Sequence, residues 1–261
     1  MAEAVIGGVR IHYEISGHGH PLVLTTGQGT GPEARAELIA GLARDHAVLT
    51  YDQRGTGRSE RVAQGQPIET LAEDIVAIMD AAGVARAHVV GHSTGTGMAT
   101  VLAARHPARV ARLVLAAPWT HGDPFLQAVQ AMRMAAARTM PPDHHAQLNA
   151  AIIYPPDYRR AHAGRFAAMA AKALDAPQDA AGIAARLTAI LAFDARPLYP
   201  RIACPTLVMA ARDDQIMPGW FAEEAARAVP GAQLQILEGG GHMFPETRTA
   251  EFLQRVGAFL R

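Results

Sequence analysis

The chain has 261 residues, enough to bury one large core or one core carrying a sizeable insertion. Hydrophobic residues make up 49% and charged residues 18%, a balance that excludes a disordered chain. Twenty-four basic residues offset 24 acidic ones, so no net field draws the protein to nucleic acid or to an anionic membrane surface. The single cysteine, Cys204, excludes an internal disulfide and a cysteine-rich zinc site. No run has signal-peptide or transmembrane character. The expectation is a soluble cytoplasmic protein, monomer or homodimer, that acts on a small molecule.

In chain order, Val5-Ile6 and Val9 to Ile15 flank Gly7-Gly8 and predict a hairpin. Pro21 to Thr25 is a continuous apolar strand ending in glycine-rich TGQGTG. Pro32 is placed to open a helix that Glu33 to Arg44 continues, and Ala47 to Tyr51 is a second buried strand. Thr70 and Glu73 have capping-box spacing for a helix to Ala82, which Gly83 stops. Strand Ala87 to Val90, helix Thr94 to Arg105 and strand Val110 to Ala116 follow. The alternation resumes with strand Thr206 to Met209, helix Phe221 to Ala228, strand Gln233 to Leu237 and helix Thr247 to Leu260. Short apolar runs alternating with amphipathic helices predict a mainly parallel sheet covered on both faces.

Residues 120–196 break this rhythm. They are rich in Ala, Met and Arg, hold no convincing strand, and carry helix-stopping prolines at 141–142, 155–156 and 177. They read as a helical cap inserted into a core made of residues 1–119 and 197–261.

Gly91-His92-Ser93-Thr94-Gly95 is a G-x-S-x-G sequence between a buried strand and a helix. A serine in that turn is lifted above the sheet, and small residues two before and two after let strand and helix approach closely. The backbone N–H of Thr94 faces the same space. Ser93 is therefore the candidate nucleophile; the plainer reading is a serine that only caps the helix. His242 closes Glu238-Gly239-Gly240-Gly241-His242 after the last strand, where a glycine loop can carry an imidazole back over the sheet as general base. The other histidines are weaker candidates. His92 is expected to point away from Ser93, and His18, His20, His144 and His145 to lie solvated in loops.

The orienting acid should follow strand Thr206 to Met209, where Asp213 and Asp214 compete. A carboxylate followed after three residues by a proline, Pro218, resembles the acid loop of such enzymes and favours Asp214; Asp123 is a remote third choice.

The order Ser…Asp…His, together with D-x-R-G-x-G-x-S from Asp52 to Ser59 and the loop Thr26-Gly27-Gln28-Gly29, resembles the α/β-hydrolase family over essentially the whole chain. The resemblance implies that the backbone N–H of Gln28 joins that of Thr94 as an oxyanion hole, and that no metal or organic cofactor takes part. Many members have His-Gly where this chain has Thr26-Gly27, so the hydrogen bonds of that imidazole have no counterpart at residue 26. Asp52, Arg54 and Ser59 are read as loop-holding residues. Tyr154-Pro155-Pro156-Asp157-Tyr158 and the YDQRGTG step look like aminoacrylate hydrolases, and the general layout like 3-oxoadipate enol-lactonases. The expected activity is hydrolysis of a carboxylic ester or lactone, with a C–N or C–C bond as the alternative and a non-catalytic receptor of this fold as the rival from another class. Trp119, Met132 and Met140 are candidate pocket residues. Of Arg133, Arg138, Arg159, Arg160 and Arg165, one should reach the cavity if the substrate is acidic; the plainer reading leaves all five solvated or paired.

Overall fold

A computed structural model describes residues 2–27, 35–63, 65–176 and 178–261. The hairpin pairs β1 (Ala2–Ile6) with β2 (Val9–Ser16), and Gly7 and Gly8 both have positive φ, as a tight two-residue turn between twisted strands requires. β3 (His20–Thr25), β4 (His46–Tyr51), β5 (Ala87–His92), β6 (Val110–Ala116), β7 (Thr206–Ala211) and β8 (Gln233–Leu237) complete an eight-stranded sheet. Its order is β1-β2-β4-β3-β5-β6-β7-β8, antiparallel at β1/β2 and β2/β4 and parallel elsewhere. Every residue of β5 and β7 is buried, as expected for central strands covered on both faces.

The order places the site. The chain leaves β3 for β4 on one side and returns to β5 on the other, so the carboxyl ends of β3 and β5 flank the topological switch point. Thr25 is paired with Gly91 there, and ligands of parallel α/β sheets bind beyond such ends.

The core helices are α1 (Ala36–Leu42), α2 (Ile68–Ala81), α3 (Thr94–Arg105), α9 (Gly219–Ala228), α10 (Phe244–Thr247) and α11 (Thr249–Leu260). α1 begins at Ala36, and the expected start at Pro32 lies outside the described residues. The Thr70–Glu73 capping box does not form. Pro67 is the N-cap of α2, so Thr70 already lies inside the helix. Burial decides this: Ile68, Leu71, Ile75 and Ile78 form one apolar stripe, and including Ile68 starts the helix before the threonine.

Between β6 and β7 lie α4 (Pro124–Thr139), α5 (Pro142–Ile153), α6 (Pro156–Ala161), α7 (Ala163–Lys172) and α8 (Ala180–Ala192). The proline pairs expected to stop helices also start them. Pro142 and Pro156 occupy first-turn positions, where the missing N–H costs no intrahelical bond. Pro177 lies outside the described residues. Asp123 is the N-cap of α4 and accepts from Leu126 N–H, a structural use of the third-choice acid. The D-x-R-G-x-G-x-S loop is held as expected: Asp52 accepts from Arg58, Ser59 donates to Asp52 carbonyl, and Arg54 grips the buried Asp74 of α2 through two hydrogen bonds. Among the described residues, no helix is long and apolar enough to cross a membrane.

Candidate active site

Ser93 joins β5 to α3 with φ 55° and ψ −126°, a conformation that L-residues rarely adopt and that costs on the order of 1–3 kcal/mol. The neighbours show what maintains it. A Cβ on Gly95 would lie 2.3 Å from Thr25 carbonyl oxygen, and one on Gly91 would lie 2.8 Å from Gly95 carbonyl oxygen. Both positions therefore exclude side chains, and the close approach they permit forces the sharp turn. Ser93 N–H donates to Ala116 carbonyl at 3.0 Å, while Ser93 carbonyl accepts from Thr96 N–H and its hydroxyl.

Ser93 Oγ is 2.8 Å from Nε2 of His242, and Nδ1 of His242 is 2.8 Å from Oδ2 of Asp214. The Asp214 carboxylate is fully buried, and its Oδ1 accepts from the N–H groups of Ile216 and Met217. A carboxylate can only accept, so Nδ1 carries the proton and Nε2 is left to accept from the serine hydroxyl. Asp213 does something else. It accepts from Gly240 and Gly241 N–H at 3.2 and 2.8 Å, and so pins the glycine loop that carries His242. Gly240 and Gly241 have φ of 126° and 64°, which explains the glycines in that loop.

His92 departs from expectation. Its side chain does not turn away: Nε2–H donates to the carbonyl of His242 at 2.9 Å, and the two rings lie 5.3 Å apart. Burial first, and then His242, push its pKa down to about 3, so it holds the histidine loop as a neutral donor. Gln53 donates to Thr26 carbonyl at 2.8 Å, fixing the loop after β3. Gln28 lies outside the described residues; Thr94 lines the cavity beside Ser93.

The cavity over Ser93 has a volume of about 330 Å³. Its lining is part apolar, with Ile153, Leu187, Ile190, Ile216 and Met217, and part polar, with Gln130, Arg133, His145, Asn149 and Arg186. The three candidate pocket residues are elsewhere. Trp119 is buried as packing: its indole N–H donates to Ile190 carbonyl and its ring lies 5.5 Å from that of Phe193. Met132 and Met140 are exposed on the outer side of α4, because that helix turns Leu126, Gln130, Ala136 and Ala137 inward instead. Of the five arginines, Arg133 reaches the cavity. Arg165 is paired with Glu246 and lies over the Tyr154 ring, beside a separate cavity of about 310 Å³.

Sequence reasoning missed Gln130, His145, Asn149 and Arg186. His145 lies in α5 and is buried, not in a solvated loop. A helical-periodicity signal existed: Gln130/Arg133 are three apart, His145/Asn149 four apart, and Arg186 shares a face with Ile183, Leu187 and Ile190.

Comparison with known proteins identifies the fold family. Residues 20–249 match the family model described as alpha/beta hydrolase fold. Proteins named as carbamate hydrolase RutD, from Azorhizobium caulinodans and Caulobacter vibrioides, are each 32% identical to this chain. The first match covers 91% of this chain and 90% of that protein, the second 100% and 99%. The crystal structure of the enol-lactonase from Burkholderia xenovorans LB400 superposes with a TM-score of 0.87 at 30% identity, covering 99% of both chains.

Proposed function

The chain belongs to the α/β-hydrolase family, and from that premise we propose that it is a serine hydrolase that cleaves its substrate through an acyl-enzyme on Ser93. The observation that carries this reading is the hydrogen-bonded series Ser93–His242–Asp214, with the serine held in a strained turn over a cavity.

A serine hydroxyl is too weak an acid to ionise unaided near neutral pH. His242 takes its proton as Oγ bonds to the substrate carbonyl carbon, and the carbonyl π electrons move onto oxygen. Asp214 fixes the tautomer that makes this possible and stabilises the imidazolium. The backbone N–H of Thr94, joined by that of Gln28, receives the oxyanion; one such donor is worth roughly 3 kcal/mol in comparable sites. The imidazolium then protonates the leaving group as the tetrahedral species collapses. Water, deprotonated by His242, releases the acyl group by the same steps. Residues 120–196 act as a helical cap, since α4, α5 and α8 supply cavity walls that exclude water from the acyl-enzyme.

The substrate is a carboxylic ester or lactone of a small metabolite, matching the enol-lactonase likeness. A second reading, cleavage of a C–N bond, is favoured by the relatives named as carbamate hydrolases. Labelling with a fluorophosphonate followed by peptide mass spectrometry should place the adduct on Ser93. A panel of aryl esters, lactones and carbamates then ranks the bond types. Ser93→Ala should lose both the label and turnover, the latter by on the order of 10⁴–10⁶. A variant that turns over as wild type would overturn the assignment.

A further inference from the structure

The polar lining of the cavity comes from three helices. α4 contributes Gln130 and Arg133, α5 contributes His145 and Asn149, and α8 contributes Arg186. Arg133 is held firmly but not neutralised. Its Nε–H donates to Asn149 Oδ1 at 3.2 Å and its Nη1–H to Gln130 Oε1 at 3.0 Å, both uncharged oxygens. The Asn149 amide is itself oriented by donating to His145, which leaves Oδ1 as the only atom able to accept. The network therefore fixes the plane of the guanidinium and adds no negative charge. Burial, then Arg186, push Arg133 down to about 10, so it is still a cation at neutral pH and carries an unrelieved cost. Burial, then Arg133, likewise hold His145 down, keeping it a neutral acceptor. On α8 the acid acting on Arg186 is Asp179, whose carboxylate also caps that helix through Gly182 N–H.

Gln130 points to a ligand independently. The residue is fully buried and lines the cavity, yet its Nε2 has no hydrogen-bond partner among the described residues. A buried amide donor without an acceptor is costly and rare. An acceptor placed between the helices would satisfy it and relieve the repulsion between the two guanidinium groups together.

We propose that Arg133, Arg186 and Gln130 form a carboxylate-binding subsite, so that the substrate is an acyl compound carrying a second carboxylate that does not react. This rests on the serine-hydrolase reading above. A planar monoanion matches the fork of a guanidinium whose plane is already fixed, and the apolar lining residues take the chain between the carboxylate and the scissile carbonyl.

The test compares 4-nitrophenyl hydrogen glutarate with its methyl ester. For wild type, kcat/KM for the acid should exceed that for the methyl ester by on the order of 10², since the carboxylate gains charge-assisted hydrogen bonds. Arg133→Met and Arg186→Met should each bring that ratio towards one, while Arg133→Lys retains an intermediate ratio. Should one methionine variant fail to fold, as judged by circular dichroism, the other and Arg133→Lys carry the comparison. A ratio that stays unmoved in the methionine variants, or near one in wild type, overturns the subsite. Calorimetric titration with glutarate gives an answer independent of turnover: binding to wild type must weaken at least about tenfold in Arg133→Met. Inorganic phosphate binding more tightly than glutarate would also overturn it. Ester hydrolysis with Ser93 labelled but no acid preference defeats the subsite alone. Absence of both label and hydrolysis defeats the serine-hydrolase reading, and the glutarate titration still decides the subsite.

Discussion

Replacing Asp214 by asparagine changes one oxygen to an amide nitrogen in a site whose hydrogen bonds are fully specified. Oδ1 accepts from Ile216 and Met217 N–H, each at 2.8 Å, and Oδ2 faces Nδ1 of His242 at 2.8 Å. An asparagine can keep its oxygen in only one of these places. Turning the NH₂ towards the two backbone donors would break two buried hydrogen bonds, at about 1 kcal/mol or more each, and set donors against donors. The amide nitrogen must therefore face Nδ1. There it donates, Nδ1 becomes the acceptor, and the imidazole proton moves to Nε2. Nε2, 2.8 Å from Ser93 Oγ, can no longer accept the hydroxyl proton. The expected loss is roughly 10⁴ in kcat near neutral pH, or about 5.5 kcal/mol of barrier, with the fold retained. Asp213→Asn sets a donor against only one of the two loop N–H groups of Gly240 and Gly241, so it should loosen His242 and cost about tenfold. Initial rates on a 4-nitrophenyl ester, measured for both variants at matched concentration, make the comparison. Equal losses, or an Asp214→Asn variant within about tenfold of wild type, would refute the tautomer argument.

Gly95→Ala should destabilise the protein and lower kcat/KM by about 10² or more. Its Cβ would sit 2.3 Å from Thr25 carbonyl oxygen, where only backbone can yield, and a shift approaching 1 Å would displace Ser93. A variant with wild-type melting temperature and rate would show that the turn does not depend on this approach. A second expectation concerns pH and the base of the sheet. His88 lies 4.2 Å from the His20 ring and 5.8 Å from that of His46, and burial first, then these neighbours and Arg112 and Arg86, push its pKa down to about 4. The unfolded chain binds that proton near pH 6.5 and the folded protein only near 4. Stability is therefore fully present above about 6.5 and falls as pH drops through that window. The melting temperature of His88→Leu should fall less between pH 7 and 4.5 than that of wild type; parallel decreases would remove His88 as the cause.

The parts legible in the sequence are those that local chemistry dictates. Gly91, Ser93 and Gly95 sit between a buried strand and a helix whatever the rest of the chain does, and the steric reason for each glycine is met within a few ångströms of Thr25, Gly95 and Ala99. The α/β-hydrolase fold is equally local in origin, since six parallel strands announce themselves as apolar runs between helices. What escaped was the choice made by packing. α4 is helical by composition, but Met132 and Arg133 are adjacent in sequence and about 100° apart around the axis, and only the spacing of Gln130 and Arg133 points to which one faces inward. Hydrophobicity alone favours the methionine. The structure exposes Met132 and turns Arg133 to the cavity, because Leu126, Gln130 and Ala137 lie on the side that α8 and the core cover. A polar residue that takes an inward position over an adjacent apolar one is held there at an energetic disadvantage. In Gln130 that disadvantage is still visible as an amide donor without an acceptor among the described residues. Folding alone supplies no reason to keep it, whereas the proposed carboxylate-binding subsite does. The mismatch between the apolar pattern and the observed face of α4 therefore bears on function as well as fold.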